Sequence, residues 1–103
     1  MIARLWTAKT SAAYAPAYAD HFQQQVLAAL HNIEGYVGAK LLEREIADGI
    51  ELVVMTFWQS LDVIKQFTGP ELERAVGSPE IIPLLLEYDQ SIKYYEITTT
   101  DGH

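Results

Sequence analysis

The side chains best suited to anion binding or proton transfer lie far apart along the chain. Arg4 shares a predicted strand face with Ile2 and Trp6. If that face is buried, the guanidinium needs an acidic partner or an anionic ligand, because an unpaired buried charge is costly. The alternative is a surface arginine whose charged head reaches water. The other candidate bases or hydrogen-bond donors are Tyr36, Tyr94, Tyr95 and His21.

The histidines and carboxylates give weaker signals. An imidazole titrates near neutral pH, which suits proton transfer, but His21 follows Asp20 on a predicted helix, where a solvated side chain is the simpler interpretation. His31 lies at the predicted end of the same helix, where the helix dipole favours a cation and a structural role. The sequence contains no His-x-x-x-His motif, no carboxylates at ligand spacing and no glycine-rich phosphate loop. We therefore predict no metal site and no cofactor.

Composition argues against several classes of partner. The chain has 103 residues, enough for one domain with its own core. It carries 7 basic and 14 acidic residues, for a net charge of −7, which disfavours nucleic acid and anionic membranes as partners. Half of the residues are hydrophobic, which predicts apolar surface that a partner or a ligand covers. Because the chain has no cysteine and no apolar run long enough to cross a bilayer, we expect a cytoplasmic protein.

Residues 50–58 organise the predicted fold. They are rich in β-branched and aromatic side chains, and both faces of the strand they would form are largely apolar. We therefore predict a central strand that is covered on both sides. Ser60 then begins a helix over residues 60–67, because its side chain can cap the first turn. Gly69 and Pro70 end that helix.

The remaining segments supply the other elements. Alternation predicts strands over residues 2–9, 36–46 and 91–98, and helical spacing predicts a long helix over residues 16–31. Asp48 and Gly49 predict a hairpin turn, and Gly38 marks a bulge or a close backbone approach. We predict a further helical turn over residues 72–76 and a short apolar helix over residues 81–88, with Pro83 in its first turn or interrupting it.

The order of these elements predicts an α+β fold. It is the ferredoxin-like split βαβ arrangement, with a four-stranded antiparallel sheet, helices on one face and an extra helix before the last strand. We assign residues 1–98 to this single domain and residues 99–103 to a C-terminal tail. The second face of the sheet would remain uncovered in one chain. We therefore expect a homodimer through the open sheet face.

Three segments resemble a known family. The motif Thr56-Phe57-Trp58-Gln59-Ser60-Leu61 lies at the predicted strand-to-helix junction, after Ile33-Glu34-Gly35-Tyr36-Val37-Gly38 and before Tyr94-Tyr95-Glu96-Ile97. The pattern resembles the antibiotic biosynthesis monooxygenase domain family over residues 2–97. This family belongs to the dimeric α/β-barrel proteins, which are small homodimers with a cavity between sheet and helices in each subunit.

The resemblance implies a cofactor-independent monooxygenase that oxidises a small phenolic or polycyclic aromatic compound, similar to a polyketide or a quinol, with dioxygen. The protein would orient the substrate, exclude water and stabilise the substrate anion. Trp58, Arg4 and Tyr36 are the candidate catalytic residues, although a packing anchor is the alternative role for Trp58. A small apolar or aromatic ligand would contact Trp6, Phe22, Phe67 and Tyr94.

Departures from the family pattern favour one alternative function and count against another. Many quinol-type members carry a histidine on the helix after the tryptophan, where this chain has Phe67. Haem-degrading members use an asparagine, a tryptophan and a histidine, whereas Asn32 is the only asparagine here and no histidine lies at the matching position. A non-catalytic dimeric protein that binds an apolar ligand, or serves as a pathway accessory, is therefore the main alternative. Haem binding ranks after it.

Overall fold

Five antiparallel strands form one sheet in the computed structural model, which describes residues 1–68 and 81–102. The strands are β1 (Ile2–Thr10), β2 (Tyr36–Ile46), β3 (Gly49–Trp58), β4 (Leu85–Tyr88) and β5 (Lys93–Glu96). β3 lies between β2 and β1, and the outer edge of β1 pairs with β5 near its start and with β4 near its end. The predicted α+β, ferredoxin-like arrangement is confirmed, but the sheet has five strands and not four.

Two helical segments cover one face of this sheet. The first consists of α1 (Ala15–His21), a π-helical turn (Phe22–Val26) and α2 (Leu27–Leu30). It confirms the helix predicted over residues 16–31, although its π-helical centre is not predicted. α3 (Leu61–Thr68) follows Ser60, whose hydroxyl oxygen accepts a hydrogen bond from the backbone N–H of Val63 at 3.4 Å, as expected of a cap. None of the described helices has the length and apolar character that a membrane span requires.

Residues 81–88 do not form the predicted short helix. Only Ile82–Leu84 forms a helical turn, of the 3-10 type, and the chain then continues as β4. β5 pairs with β1 no further than Leu5, so the backbone groups of Ala8 and Lys9 need other partners, and β4 supplies them. Pairing along this edge outweighs the helical spacing of the leucines. The helical turn predicted over residues 72–76 lies outside the described residues.

The pairing of β1 with β3 decides which side chains the helices cover. Ile2 lies opposite Trp58, and Trp6 lies opposite Val54; directly opposed side chains share a face. Trp58 on this covered face is fully buried, whereas Phe57 on the other face is only half-buried. The predicted central strand is therefore confirmed, but within one chain only one of its faces is covered.

Two hydrophobic clusters fill the space between sheet and helices. The first contains Tyr18, Phe22, Leu52, Val54 and Ile81, and the second contains Ile2, Leu30, Trp58 and Ile64. Val26, at the end of the π-helical turn, packs against both clusters. The two clusters therefore meet beneath that turn.

Gly35, before β2, lies at a position where a side chain would be strained. Its φ is +91°, and a Cβ there would lie 2.7 Å from both methyl carbons of Val63. We expect Gly35→Ala to lower the free energy of unfolding by about 2 kcal/mol, because the left-handed conformation alone costs an L-residue about 1–2 kcal/mol. Gly38→Ala is the control, since a Cβ there meets no atom within 4 Å. Urea titration measures both variants, and equal effects would contradict the packing argument.

Tyr18 provides a prediction about pH. It is 5 % exposed in the first cluster, and burial raises the pKa of its phenol from 10.0 to about 12. The unfolded chain loses this proton at lower pH, so the stability is fully present below pH 10 and falls as the pH rises to about 12, by up to about 3 kcal/mol. Urea titrations across this range should show a smaller loss for Tyr18→Phe than for the wild type. The same substitution at the exposed Tyr14 is the control, and parallel losses in all three proteins would show that Tyr18 is not the cause.

Candidate functional site

A row of polar side chains crosses the covered face of the sheet between the two hydrophobic clusters. Arg4 on β1 lies opposite Thr56 on β3 and, on its other side, opposite Tyr94 on β5. Along β1, Arg4 lies between Ile2, which belongs to the second cluster, and Trp6, which packs against the first. The sheet therefore brings a half-buried guanidinium between two apolar regions.

Arg4 is held by a tyrosine and not by a carboxylate. Its Nε–H donates a hydrogen bond to the phenolic oxygen of Tyr94 at 3.2 Å. Among residues 1–68 and 81–102, no carboxylate lies within ion-pair distance of this guanidinium. A half-buried cation without an acidic partner attracts an anionic or strongly electronegative group of a ligand.

The other basic side chains of the described residues are either paired or exposed. The hydrogen bond of Lys9 to Asp48, at 3.1 Å, raises the pKa of this lysine. The hydrogen bond between Arg44 and Glu51, at 2.8 Å, raises the pKa of the arginine and lowers that of the glutamate. The exposed cations are Lys40, Lys65 and Lys93. The guanidinium of the polar row is thus the cation that the described part of the fold presents on the covered face.

Trp58 lies next to the polar row but is enclosed. Its side chain has no exposed surface, and its indole N–H donates a hydrogen bond to the hydroxyl oxygen of Thr56 at 2.8 Å. The ring of Tyr36 packs edge-on against the indole, with 5.5 Å between the centroids, and burial raises the pKa of the Tyr36 phenol. Tyr36 reaches Trp58 from β2, on the side away from Arg4. Of the three candidate catalytic residues, only Arg4 therefore belongs to the row itself.

Of the four aromatic residues predicted to contact a ligand, Trp6 and Tyr94 share the covered face with Arg4. The indole N–H of Trp6 donates to the backbone carbonyl of Asp89 at 2.9 Å, and the ring lies 6.0 Å from that of Tyr88. Phe22 is buried at the start of the π-helical turn, a type of distortion that is frequent at functional sites. Trp6 and Tyr94 thus flank the guanidinium, and Phe22 packs in the cluster next to Trp6. Phe67 lies in α3, and its side chain is outside the described part of the structure.

The remaining candidates are not brought to this row. Tyr95 is 52 % exposed and, like its partner Ala3, points to the opposite face of the sheet. His21 and His31 lie on the first helical segment and at its end, and His31 is exposed. Asn32 is also exposed, and its amide donates to the carbonyl of Ala28 at 3.4 Å. The ring of His31 lies 6.0 Å from that of Tyr36, which packs edge-on against the buried Trp58, so this histidine lies on the Tyr36 side of the tryptophan and not on the side of Arg4.

No metal centre is visible in the part of the chain that the structure describes, where no three or more His, Asp or Glu side chains are grouped suitably. Open depressions at the surface include two that the described residues line. The larger, of about 390 Å³, is lined by residues 91–95 and includes Tyr94, so it reaches the end of the polar row. The smaller, of about 160 Å³, is lined in part by the charged side chains of Lys9, Glu51, Glu87 and Asp89.

Thr56 is the functional candidate that sequence reasoning missed. The alternation of β3 places its hydroxyl on the same face as Val54 and Trp58, which are apolar and buried. A lone hydroxyl on a buried face needs a partner, and that pattern was the available signal. The π-helical turn has no comparable signal, because the apolar spacing of the helix continues through it.

Known proteins resemble this chain in their three-dimensional structure but do not match it in sequence searches. No protein-family model and no curated protein matches the chain. A proposed antibiotic biosynthesis monooxygenase from Bacillus cereus has a similar structure, with 17 % identity, a TM-score of 0.71 and coverage of 100 % of this chain and 96 % of that one. A similar protein from Deinococcus radiodurans gives 15 % identity, a TM-score of 0.66 and coverage of 100 % and 98 %.

A haem-degrading protein is also similar in structure. MhuD from Mycobacterium tuberculosis, solved with two haems bound in its active site, has 18 % identity and a TM-score of 0.69 over 99 % of this chain and 100 % of that one. At such low identity these similarities establish the fold alone. They confirm the resemblance noted in the sequence at that level: the chain has the fold of the antibiotic biosynthesis monooxygenases.

Proposed function

We propose that this protein is a cofactor-independent monooxygenase that oxidises a small phenolic or polycyclic aromatic compound with dioxygen. The observation that carries the proposal is the Arg4 guanidinium, half-buried on the covered face and without a carboxylate partner in the described residues. The fold shared with proposed monooxygenases supports the same class of reaction.

The chemistry needs an ionised substrate and no external electron donor. A hydroxyaromatic compound that has lost its hydroxyl proton transfers one electron to dioxygen, and the two radicals combine to form a C–O bond at a ring carbon. The resulting peroxide anion takes up a proton to form a hydroperoxide, which then loses the hydrogen of that carbon as a proton and breaks its O–O bond. One oxygen atom stays as a carbonyl and the other leaves as water. The substrate thus supplies all four electrons that dioxygen accepts.

Arg4 has the properties that the first step requires. A cation within hydrogen-bond distance lowers the pKa of a bound hydroxyl, because it stabilises the anion more than the neutral form. The guanidinium can also stabilise the oxyanion while charge shifts towards dioxygen. The hydrogen bond from its Nε–H to the Tyr94 oxygen fixes the orientation of the planar guanidinium. A flexible arginine on the surface would have no such fixed orientation.

The surroundings of Arg4 indicate the shape of the substrate. Trp6 packs against the first cluster, and Tyr94 lines the larger surface depression. Aromatic side chains on both sides of a cation favour a flat, apolar molecule that carries one ionised oxygen. This combination supports hydroxylated one-ring to three-ring compounds as the substrate class.

A non-catalytic role in ligand binding is the competing proposal. The same cation and aromatic side chains would bind an aromatic anion without oxidising it. Binding of a hydroxyaromatic compound with no oxygen uptake would therefore support this role and contradict the monooxygenase. A haem titration with a Soret shift would direct attention to haem instead.

Substitution of Arg4 tests the catalytic proposal. With anthrone as substrate, we expect wild-type protein to accelerate oxygen uptake and anthraquinone formation above the spontaneous rate. Arg4→Met should reduce kcat by about 10²–10³-fold, as the loss of a donor to a developing oxyanion does elsewhere. Lys40→Met, which removes an exposed cation from β2, is the control and should retain full activity. Activity of Arg4→Met equal to wild type would exclude this site.

We propose further that the uncovered face of the sheet binds a second copy of the chain. This open face carries Val53, Met55 and Phe57, which are half-buried, together with Leu42 and Tyr95, which are 44 % and 52 % exposed. Contiguous apolar side chains on one side of a small domain favour a partner. A two-fold pairing of this face with itself would bury them in both copies at once.

Phe57→Glu tests the dimer. A charge at the centre of the open face should weaken self-association by about 30-fold or more, because central aromatic residues contribute about 2 kcal/mol or more to such interfaces. Leu61→Glu is the matched control, since Leu61 is 39 % exposed at the start of α3, in the helical layer. Sedimentation velocity distinguishes the species. A monomeric wild-type protein, or equal effects of the two substitutions, would refute this surface as the interface.

A further inference from the structure

We infer that Thr56 is a second hydrogen-bond donor for the ligand oxygen at Arg4, and that Trp58 acts on the ligand only through Thr56, as a positioning residue. This inference rests on the proposed function, because it concerns the same anion-binding site. It assigns a role to a residue that has no obvious chemistry in the sequence. In this inference Trp58 does not touch the substrate. It affects the substrate only by orienting the Thr56 hydroxyl.

The burial of Thr56 is the first step. Its side chain is 3 % exposed, and in the described residues only Thr10 is another buried polar side chain. The hydroxyl of Thr10 donates its proton to the carbonyl of Leu84, so this proton is not available to a ligand. The hydroxyl of Thr56 differs, because its oxygen is the acceptor in its hydrogen bond.

The direction of the Thr56 bond follows from the donor. An indole N–H can only donate, so in the 2.8 Å contact with Trp58 the Thr56 oxygen is the acceptor. A hydroxyl that accepts in this way still carries a proton that it can donate. None of the described residues accepts that proton in a hydrogen bond.

The register of the sheet places this proton beside Arg4. Thr56 and Arg4 are directly opposed across β3 and β1, so their Cβ atoms lie about 5 Å apart on the covered face. One ligand oxygen near the guanidinium is therefore within reach of the hydroxyl as well. Two donors, one of them cationic, select an anionic oxygen over a neutral one more strongly than the cation does alone.

Trp58 is suited to hold the hydroxyl because its side chain is enclosed on all sides. It has no exposed surface, and Tyr36 packs edge-on against its ring at 5.5 Å. The indole N–H therefore keeps the Thr56 oxygen in one orientation, which leaves the proton directed away from Trp58. Enclosure also explains how a tryptophan can affect the reaction without touching the substrate.

The test uses 4-nitrophenol, whose ionised form absorbs visible light, and measures its apparent pKa when it is bound to the full chain. For wild-type protein we expect a bound pKa below that of the free probe. Thr56→Val should raise the bound pKa by about one unit, a roughly tenfold weaker preference for the phenolate. Thr56→Ser, which keeps the hydroxyl, should restore the wild-type value. Thr10→Val is the matched control and should leave the bound pKa unchanged.

A double-mutant cycle separates positioning from packing. Trp58→Phe should raise the bound pKa in the wild-type background and have no further effect in Thr56→Val, because the hydroxyl that it orients is then absent. A purely structural Trp58 would give additive effects, and additivity would overturn its assigned role. Circular dichroism of each variant confirms that the variant is folded.

The outcomes also distinguish this inference from the proposed function. If Arg4→Met abolishes the shift while Thr56→Val leaves it intact, the role of Thr56 is wrong and the proposed site stands. If Arg4→Met leaves the shift intact, or if wild-type protein does not bind the probe, the proposed site itself is wrong.

Discussion

The antiparallel pairing of β1 with β3 is the constraint on which the candidate site depends. Nine consecutive pairs, from Ile2 opposite Trp58 to Thr10 opposite Ile50, leave no freedom in this register. A slip by one residue would move Arg4 to the uncovered face and separate it from Thr56. Since the covered face is also the one that forms the core, the interactions that stabilise the sheet are the same ones that assemble the site.

The electrostatics of the chain make the position of Arg4 unusual. A protein with a net charge of −7 has more carboxylates than cations. Lys9 on β1 and Arg44 on β2 are indeed paired with carboxylates. Within the described residues Arg4 instead faces a phenol and a hydroxyl, which keep its charge available. Because the conformational stability of the fold gains little from such an arrangement, binding of an anionic ligand is the better physical reason for it.

Sequence patterns predicted the elements whose physics is local. The strand over residues 50–58, the Ser60 cap and the long helix follow from alternation, a capping hydroxyl and helical spacing, and all three are present. β4 was missed because its strand form depends on the unpaired edge of β1, which is distant in sequence. The proximity of Arg4 to Thr56 and Tyr94 was equally out of reach, since register between strands depends on the whole sheet. Arg4 itself could be identified as a candidate from the sequence, because its charged side chain lies between Ile2 and Trp6 on a predicted strand face.

Trp58 shows how a packing requirement can fix a polar group beside the candidate site. Its burial, its place in the second cluster and its edge-on contact with Tyr36 are what a core anchor requires. The indole N–H, however, needs an acceptor once it is buried, and the acceptor that the sheet provides is the hydroxyl opposite Arg4. Satisfying the tryptophan therefore fixes the hydroxyl oxygen, and under the role proposed for Thr56 the orientation of this hydroxyl influences what the guanidinium binds. On this proposal, the need of the core to satisfy each buried hydrogen-bonding group extends to the chemistry of the site without any contact between Trp58 and the ligand.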